Sequence, residues 1–231
     1  MIEGKSFIWF DIGYTLLYLE REQLFIKLAE ERGMASCTHK DAMEAFHYTD
    51  KLFMREYRGV LGKEKDTYMP WYLGHLFHYL GIKTDICSFY KTWKQRIGSP
   101  HNAWHLCPGV LHTLDYLRGK GYRMGIISNW DRSAKSLLAH LHILDYFDTV
   151  VISSEAGCEK PSEEIFTLAL QSAGVSADKS LYIGDNYYDD VPGCRAVGMD
   201  VLIINRYGNK GIEEIKGIDT IENVTQLETL L

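Results

Sequence analysis

The sequence holds little of what marks a specialised class. Of 231 residues only five are cysteine, and Cys37, Cys87, Cys107, Cys158 and Cys194 form an odd set without CxxC spacing. That pattern excludes a disulfide framework, argues against a zinc site and fits a reducing cytoplasm. Basic charge is not in excess: Lys+Arg 25 against Asp+Glu 31 leaves a formal net charge of -6, so nucleic acid is not expected as a partner. No apolar run approaches the roughly 20 residues of a membrane span, and no small-residue cleavage pattern follows MIEGKSFIWFDIG, so neither membrane anchoring nor export is expected. The nine histidines include no HxH or HExxH spacing, which speaks against a histidine metal centre. Internal repeats and low-complexity stretches are absent. A hydrophobic fraction of 46% with 24% charged residues describes an ordinary globular chain, long enough for a core with a smaller inserted unit.

Five short apolar runs read as strands: Ser6 to Phe10, Arg123 to Ile127, Thr149 to Ile152, Ser180 to Ile183 and Asp200 to Ile204. Their near-continuous hydrophobicity is that of parallel strands covered on both faces. Helical spacing separates the last four, over Gly109 to Arg118, Arg132 to His142, Ser162 to Ser172 and Val191 to Val197. Strand and helix in alternation predict a doubly wound parallel α/β sheet of Rossmann-like type.

The first connection breaks the rhythm. About a hundred residues lie between Phe10 and Arg123, where a crossover needs a few tens. From Tyr18 to about Arg96 four stretches read as helices, ending near Gly33, Gly59, Gly81 and Gly98. Residues 17–96 are therefore expected to form an inserted α-helical unit, its aromatic residues mostly core, and residues 1–16 with 97–231 the sheet domain.

Ligands of an open parallel sheet gather beyond the carboxyl ends of its strands. Those ends carry Asp11-Ile12-Gly13-Tyr14-Thr15, Ser128-Asn129, Glu159-Lys160-Pro161 and Gly184-Asp185 through Asp190. A carboxylate such as Asp11 can attack phosphorus if the charges of both partners are screened. Mg²⁺ suits that task, since it needs one or two protein carboxylates and keeps the rest of its shell for water and substrate oxygens. Asp11, Asp185 and the carbonyl of Gly13 are the expected ligands. Ser128 and neighbouring amides would hold phosphoryl oxygens, Lys160 would neutralise Asp11, and Asp190 would orient Lys160 or a metal-bound water. Each residue has a plainer reading as a helix cap, turn or solvated loop residue. A DxxxT match arises by chance about once in such a chain and GDxxxxD in roughly one chain in twenty, so the weight rests on all four matches falling in order at strand ends.

FDIGYTLL, IISNWD, EKPSEEIF and IGDNYYDDVPGCRAVGM resemble the four motifs of the haloacid dehalogenase superfamily, and the insertion resembles the helical cap of its subfamily I. Within it, the fourth motif and the ISN-x-D run are most similar to the group termed HAD-like domain-containing protein 3. The resemblance covers the whole chain. It implies a Mg²⁺-dependent phosphohydrolase of small phosphorylated metabolites; a monomer or homodimer is expected. It further implies Asp11 as nucleophile, Thr15, Ser128 and the Asn129 backbone as phosphate holders, Lys160 as the charge-balancing lysine, and Asp11, Gly13 and Asp185 as metal ligands.

One position departs. Most phosphatases of the superfamily carry a second aspartate two residues after the nucleophile, which protonates the leaving group; here Gly13 stands there. Three consequences are open: an activated substrate whose leaving group needs no proton, an acid supplied elsewhere by His47, His75 or His78, or a slow or purely regulatory protein. Dehalogenases and phosphonoacetaldehyde hydrolases also lack that aspartate. The former have Ser-Asn where this chain has Gly184-Asp185; the latter use a cap lysine, for which Lys27, Lys51, Lys63 and Lys65 are available without a distinguishing motif.

Overall fold

The computed structural model describes residues 4–34, 37–62, 64–97 and 103–231, so Lys63 and Gly98 lie outside the described residues. Two compact units emerge, one of Met1–Tyr18 with Leu106–Leu231 and one of Leu19–His105.

The first unit is the α/β one. Strands β1 (Phe7–Phe10), β4 (Arg123–Ser128), β5 (Thr149–Ile152), β6 (Ser180–Gly184), β7 (Asp200–Ile204) and β8 (Asp219–Ile221) form one sheet in the order β5-β4-β1-β6-β7-β8, and every neighbouring pair is parallel. All four residues of β1 are fully buried, as a central strand covered on both faces requires. From β1 the chain builds outward through β4 to β5, then crosses to the other flank of β1 to lay down β6, β7 and β8. The winding direction therefore reverses between β1 and β6. Such a switch point opens a crevice at the carboxyl ends of the two strands.

Two short strands, β2 (Leu17–Leu19) and β3 (Trp104–Leu106), pair where the chain passes from one unit to the other. They and β8 escape sequence reading because three residues are too few to show a period. The helix expected from Val191 begins four residues earlier and spans Tyr187–Ala196. Asn186 caps it by accepting the Tyr188 N–H at 3.2 Å. The helix expected from Arg132 is shorter, Ala134–His140.

The second unit is helical: α1 (Arg21–Glu31), α2 (His39–Glu56), α3 (Lys65–Tyr79) and α4 (Ile86–Arg96). Thr38 and Asp41 close a reciprocal capping box at the start of α2, and Asp85 caps α4 through the Ser88 N–H. Phe25, Phe46, Phe53, Tyr72, Phe77, Phe89 and Trp93 are packed in its interior, whereas Trp71 and Tyr79 are exposed. Burying each such aromatic contributes about 2–3 kcal/mol.

Candidate active site

The site is assembled entirely within the α/β unit. Asp11 extends the ladder one residue past β1, its N–H bonded to the Ile183 carbonyl of β6 at 2.9 Å. Register pairs Phe10 with Ile183, so Asp11 and Asp185 stand at the ends of adjacent strands on either side of the switch point. The chain then turns sharply. Leu16 and Leu17 N–H groups return to the Ile12 carbonyl, and Tyr14 adopts a left-handed conformation at φ 52°. This turn buries Thr15, whose hydroxyl has no hydrogen-bond partner among the described residues. A buried, unsatisfied hydroxyl is costly unless a ligand completes it.

Lys160 lies at the centre and is 4% exposed. Its ammonium is 2.7 Å from Asp190 Oδ1, 2.8 Å from the Tyr182 hydroxyl and 3.2 Å from Asp11 Oδ1. Burial alone would lower its pKa. The carboxylates of Asp11 and Asp190 outweigh burial and raise it, so Lys160 is charged at neutral pH. The backbone of Lys160 is clamped from both sides by one side chain: Asn129 Oδ1 accepts its N–H at 2.8 Å and Asn129 Nδ2 donates to its carbonyl at 2.9 Å. Expected as a backbone phosphate holder, Asn129 thus also seats the lysine. Ser128, at the end of β4, is buried beside it.

Asp190 is wholly buried, and its second oxygen accepts the Asn186 N–H at 3.1 Å. Gly184 makes this approach possible. A Cβ there would fall 2.1 Å from Asp190 Oδ2 and 2.8 Å from the Tyr182 ring. Asp189, one residue before, accepts from Asn186 Nδ2 at 2.7 Å; burial first, then the neighbouring Asp190 carboxylate, push its carboxyl up to about 7.

The donor set fits a hard divalent cation. Asp11, Asp189 and Asp190 are buried carboxyl groups around the buried Lys160, and the buried Asp185 follows the adjacent strand, so the switch point offers hard oxygen donors. Among the described residues no three His, Cys, Asp or Glu side chains are grouped as metal ligands. Two carboxylates and the Gly13 carbonyl match an ion that retains most of its water, not one caged by side chains.

Asp11, Gly13, Thr15, Ser128, Asn129, Lys160, Asp185 and Asp190 all belong to the α/β unit and follow or end its strands. Tyr182 escaped sequence reading because it stands inside an apolar strand; a phenol in a strand buried on both faces was the available signal. His47, His75 and His78, with Lys27, Lys51 and Lys65, belong to the helical unit, where His75 packs edge-on against Phe53 and Lys51 is buried.

Comparison with known proteins follows the same lines. The family model for haloacid dehalogenase-like hydrolases matches residues 21–204, a span that includes Ser128, Asn129, Lys160, Asp185 and Asp190. A haloacid dehalogenase-like hydrolase domain-containing protein 3 from Xenopus laevis is 38% identical over 118 residues, 51% of this chain and 48% of that protein. A glyceraldehyde 3-phosphate phosphatase from Methanothermobacter thermautotrophicus is 33% identical over 135 residues, 54% of this chain and 58% of its own. The chain thus spans about half the length of the curated relatives it matches. Among solved structures, the HAD-hydrolase YfnB from Bacillus subtilis bound to magnesium superposes with a TM-score of 0.66 at 19% identity, covering 99% of both chains, a likeness of fold. With four fifths of its length under that family model, the chain is a member of the haloacid dehalogenase-like hydrolase family.

Proposed function

We propose that the protein is a Mg²⁺-dependent phosphohydrolase acting on a small phosphorylated metabolite. The observation that carries this reading is the convergence at the β1/β6 switch point of Asp11, the buried Lys160 at 3.2 Å from it, and Asp185 on the adjoining strand. Asp11 attacks phosphorus, the bond to the leaving group breaks, and the phosphoryl group resides on the Asp11 carboxylate until water attacks it, releasing phosphate and regenerating Asp11. Lys160 holds Asp11 and offsets its charge. The unpartnered Thr15 hydroxyl, Ser128 and the Asn129 backbone receive the phosphoryl oxygens. Asp11, Asp185 and the Gly13 carbonyl would hold Mg²⁺, which would supply positive charge to screen the two anions from each other.

Because Gly13 offers no acid, the leaving group departs without a proton from that position. Acyl and aryl phosphates are the favoured class; alkyl esters need an acid from elsewhere. Substrate selection falls to the helical unit of residues 17–96, in the role of a cap. The phosphatase name carried by the Methanothermobacter relative supports the reaction type. The test is a panel of acetyl phosphate, p-nitrophenyl phosphate, sugar phosphates and 2-chloropropionate with Mg²⁺ or EDTA. Phosphate release that EDTA abolishes is expected; metal-independent halide release would overturn the assignment.

A further inference from the structure

We infer that Tyr182 is the positioning residue of Lys160. The Lys160 ammonium donates hydrogen bonds to Asp190 Oδ1 at 2.7 Å and to the Tyr182 oxygen at 2.8 Å, and it is ion-paired with Asp11 Oδ1 at 3.2 Å. The Tyr182 hydroxyl is free to accept because its own proton points to the Ile127 carbonyl of β4 at 2.9 Å, against 3.3 Å to Asp190. Burial, then the Asp190 carboxylate, raise its pKa well above the usual phenol range, so it serves as a neutral acceptor and adds no charge to an acidic site.

The phenol is itself held. Tyr182 is 0% exposed, pairs with Trp9 across β1 and β6, and meets the Phe166 ring edge-on at 5.6 Å. Gly184, two residues on and therefore on the same face of β6, leaves the space that the phenol and Asp190 share. Lys160 is thus fixed at its backbone by Asn129 and at its tip by Tyr182. With its ammonium shared among Asp190, Tyr182 and Asp11, the lysine is held against the nucleophile. Tyr182 touches neither substrate nor reacting atoms; it acts through Lys160. For its kinetic consequence the inference rests on the phosphohydrolase reading, but the hydrogen bond can be observed without turnover.

The experiment uses the full chain labelled with ¹⁵N at lysine side chains. Exposed ammonium protons exchange too fast to observe in warm neutral buffer, whereas Lys160 should give a persistent signal, assigned by its loss in Lys160→Met. Tyr182→Phe should shift that signal and accelerate its exchange at least tenfold. In kinetics, Tyr182→Phe should lower kcat by roughly 10- to 100-fold with KM within twofold. In the Lys160→Met background the same change should add less than a twofold loss, because the residue through which it acts is gone. Phe166→Leu, which loosens the ring but spares the hydroxyl, should lower the melting temperature and leave kcat within twofold. Should Tyr182→Phe not fold, Tyr182→Met serves in its place. An unchanged lysine signal with unchanged kcat, or losses that multiply fully in the Lys160→Met background, would overturn the inference while leaving a Mg²⁺-dependent phosphatase intact. A wild-type chain that shows the expected shift but hydrolyses nothing would retire the phosphohydrolase reading and keep the positioning role.

Discussion

Each unit of this protein buries an ion pair with a tyrosine, and the two clusters differ in where they sit. In the helical unit Arg21 grips both carboxylate oxygens of Asp50, Nη1 at 3.1 Å from Oδ1 and Nη2 in close contact with Oδ2. The Tyr72 hydroxyl donates to Asp50 at 2.6 Å, and the guanidinium lies 4.5 Å over the Phe46 ring. Arg21 Nε also reaches Glu22 Oε1 at 3.4 Å, so one guanidinium serves two carboxylates, Asp50 in bidentate geometry. In the α/β unit one lysine is shared between Asp11 and Asp190, and the Thr15 hydroxyl has no partner among the described residues. A bidentate arginine pair inside a helical bundle serves the fold, whereas a lysine shared between two carboxylates at a strand-order reversal is the feature on which the proposed catalytic role rests.

The largest predicted effect breaks the lysine cluster at its nucleophile. Asp11→Asn should keep the fold and lower phosphate release by ~10³-fold or more, measured on acetyl phosphate with saturating Mg²⁺. Next in size is Gly13→Asp. Gly13 does not occupy a left-handed conformation, so its backbone admits a side chain. Restoring a carboxylic acid there should raise kcat on alkyl phosphates by about 10²-fold and leave acetyl phosphate nearly unchanged, because only the poorer leaving group needs the proton. Equal effects on both substrates would mean that the acid at this position was not the limiting feature.

The same contrast explains what could be read from sequence. The strand Phe7–Phe10 declares itself because both faces are buried and every position is apolar. Asp11 and Asp185 were visible because each directly follows an apolar strand, whereas Lys160 and Asp190 gained weight only from the four matches falling in order at strand ends. Less legible was anything whose role depends on a partner distant in the chain. Tyr182 reads as one more strand residue until Lys160 is seen 2.8 Å away, and Asn129 reads as a turn residue until its amide meets the Lys160 backbone. The start of the helix Tyr187–Ala196 was hidden by Asn186, Asp189 and Asp190, polar residues that look like loop but cap and fill the first turn. Arg21 and Asp50 are 29 residues apart, and no local pattern joins them.

Smaller effects sharpen the comparison. Asp50→Ala leaves the half-buried Arg21 without its bidentate carboxylate and should cost about 2 kcal/mol. Hydrogen exchange should show the loss in α2 and α3, with protection of β1, β4 and β6 unchanged. The least effect, a few degrees of melting temperature, concerns pH. The Asp189 carboxyl has an ordinary value of 3.8 in the unfolded chain and about 7 in the metal-free fold, where burial and then Asp190 raise it. Between these values the folded protein keeps a proton that the unfolded chain has released, so stability falls as pH rises through that window and the loss is complete above it. In EDTA the melting temperature should therefore be lower at pH 8 than at pH 5, and Asp189→Asn should flatten the difference. Adding Mg²⁺ should restore more stability at pH 8 than at pH 5, since a cation favours the ionised carboxylates that burial penalises. An identical pH slope in wild type and Asp189→Asn would place the titrating group elsewhere on the sheet edge and remove Asp189 from the comparison.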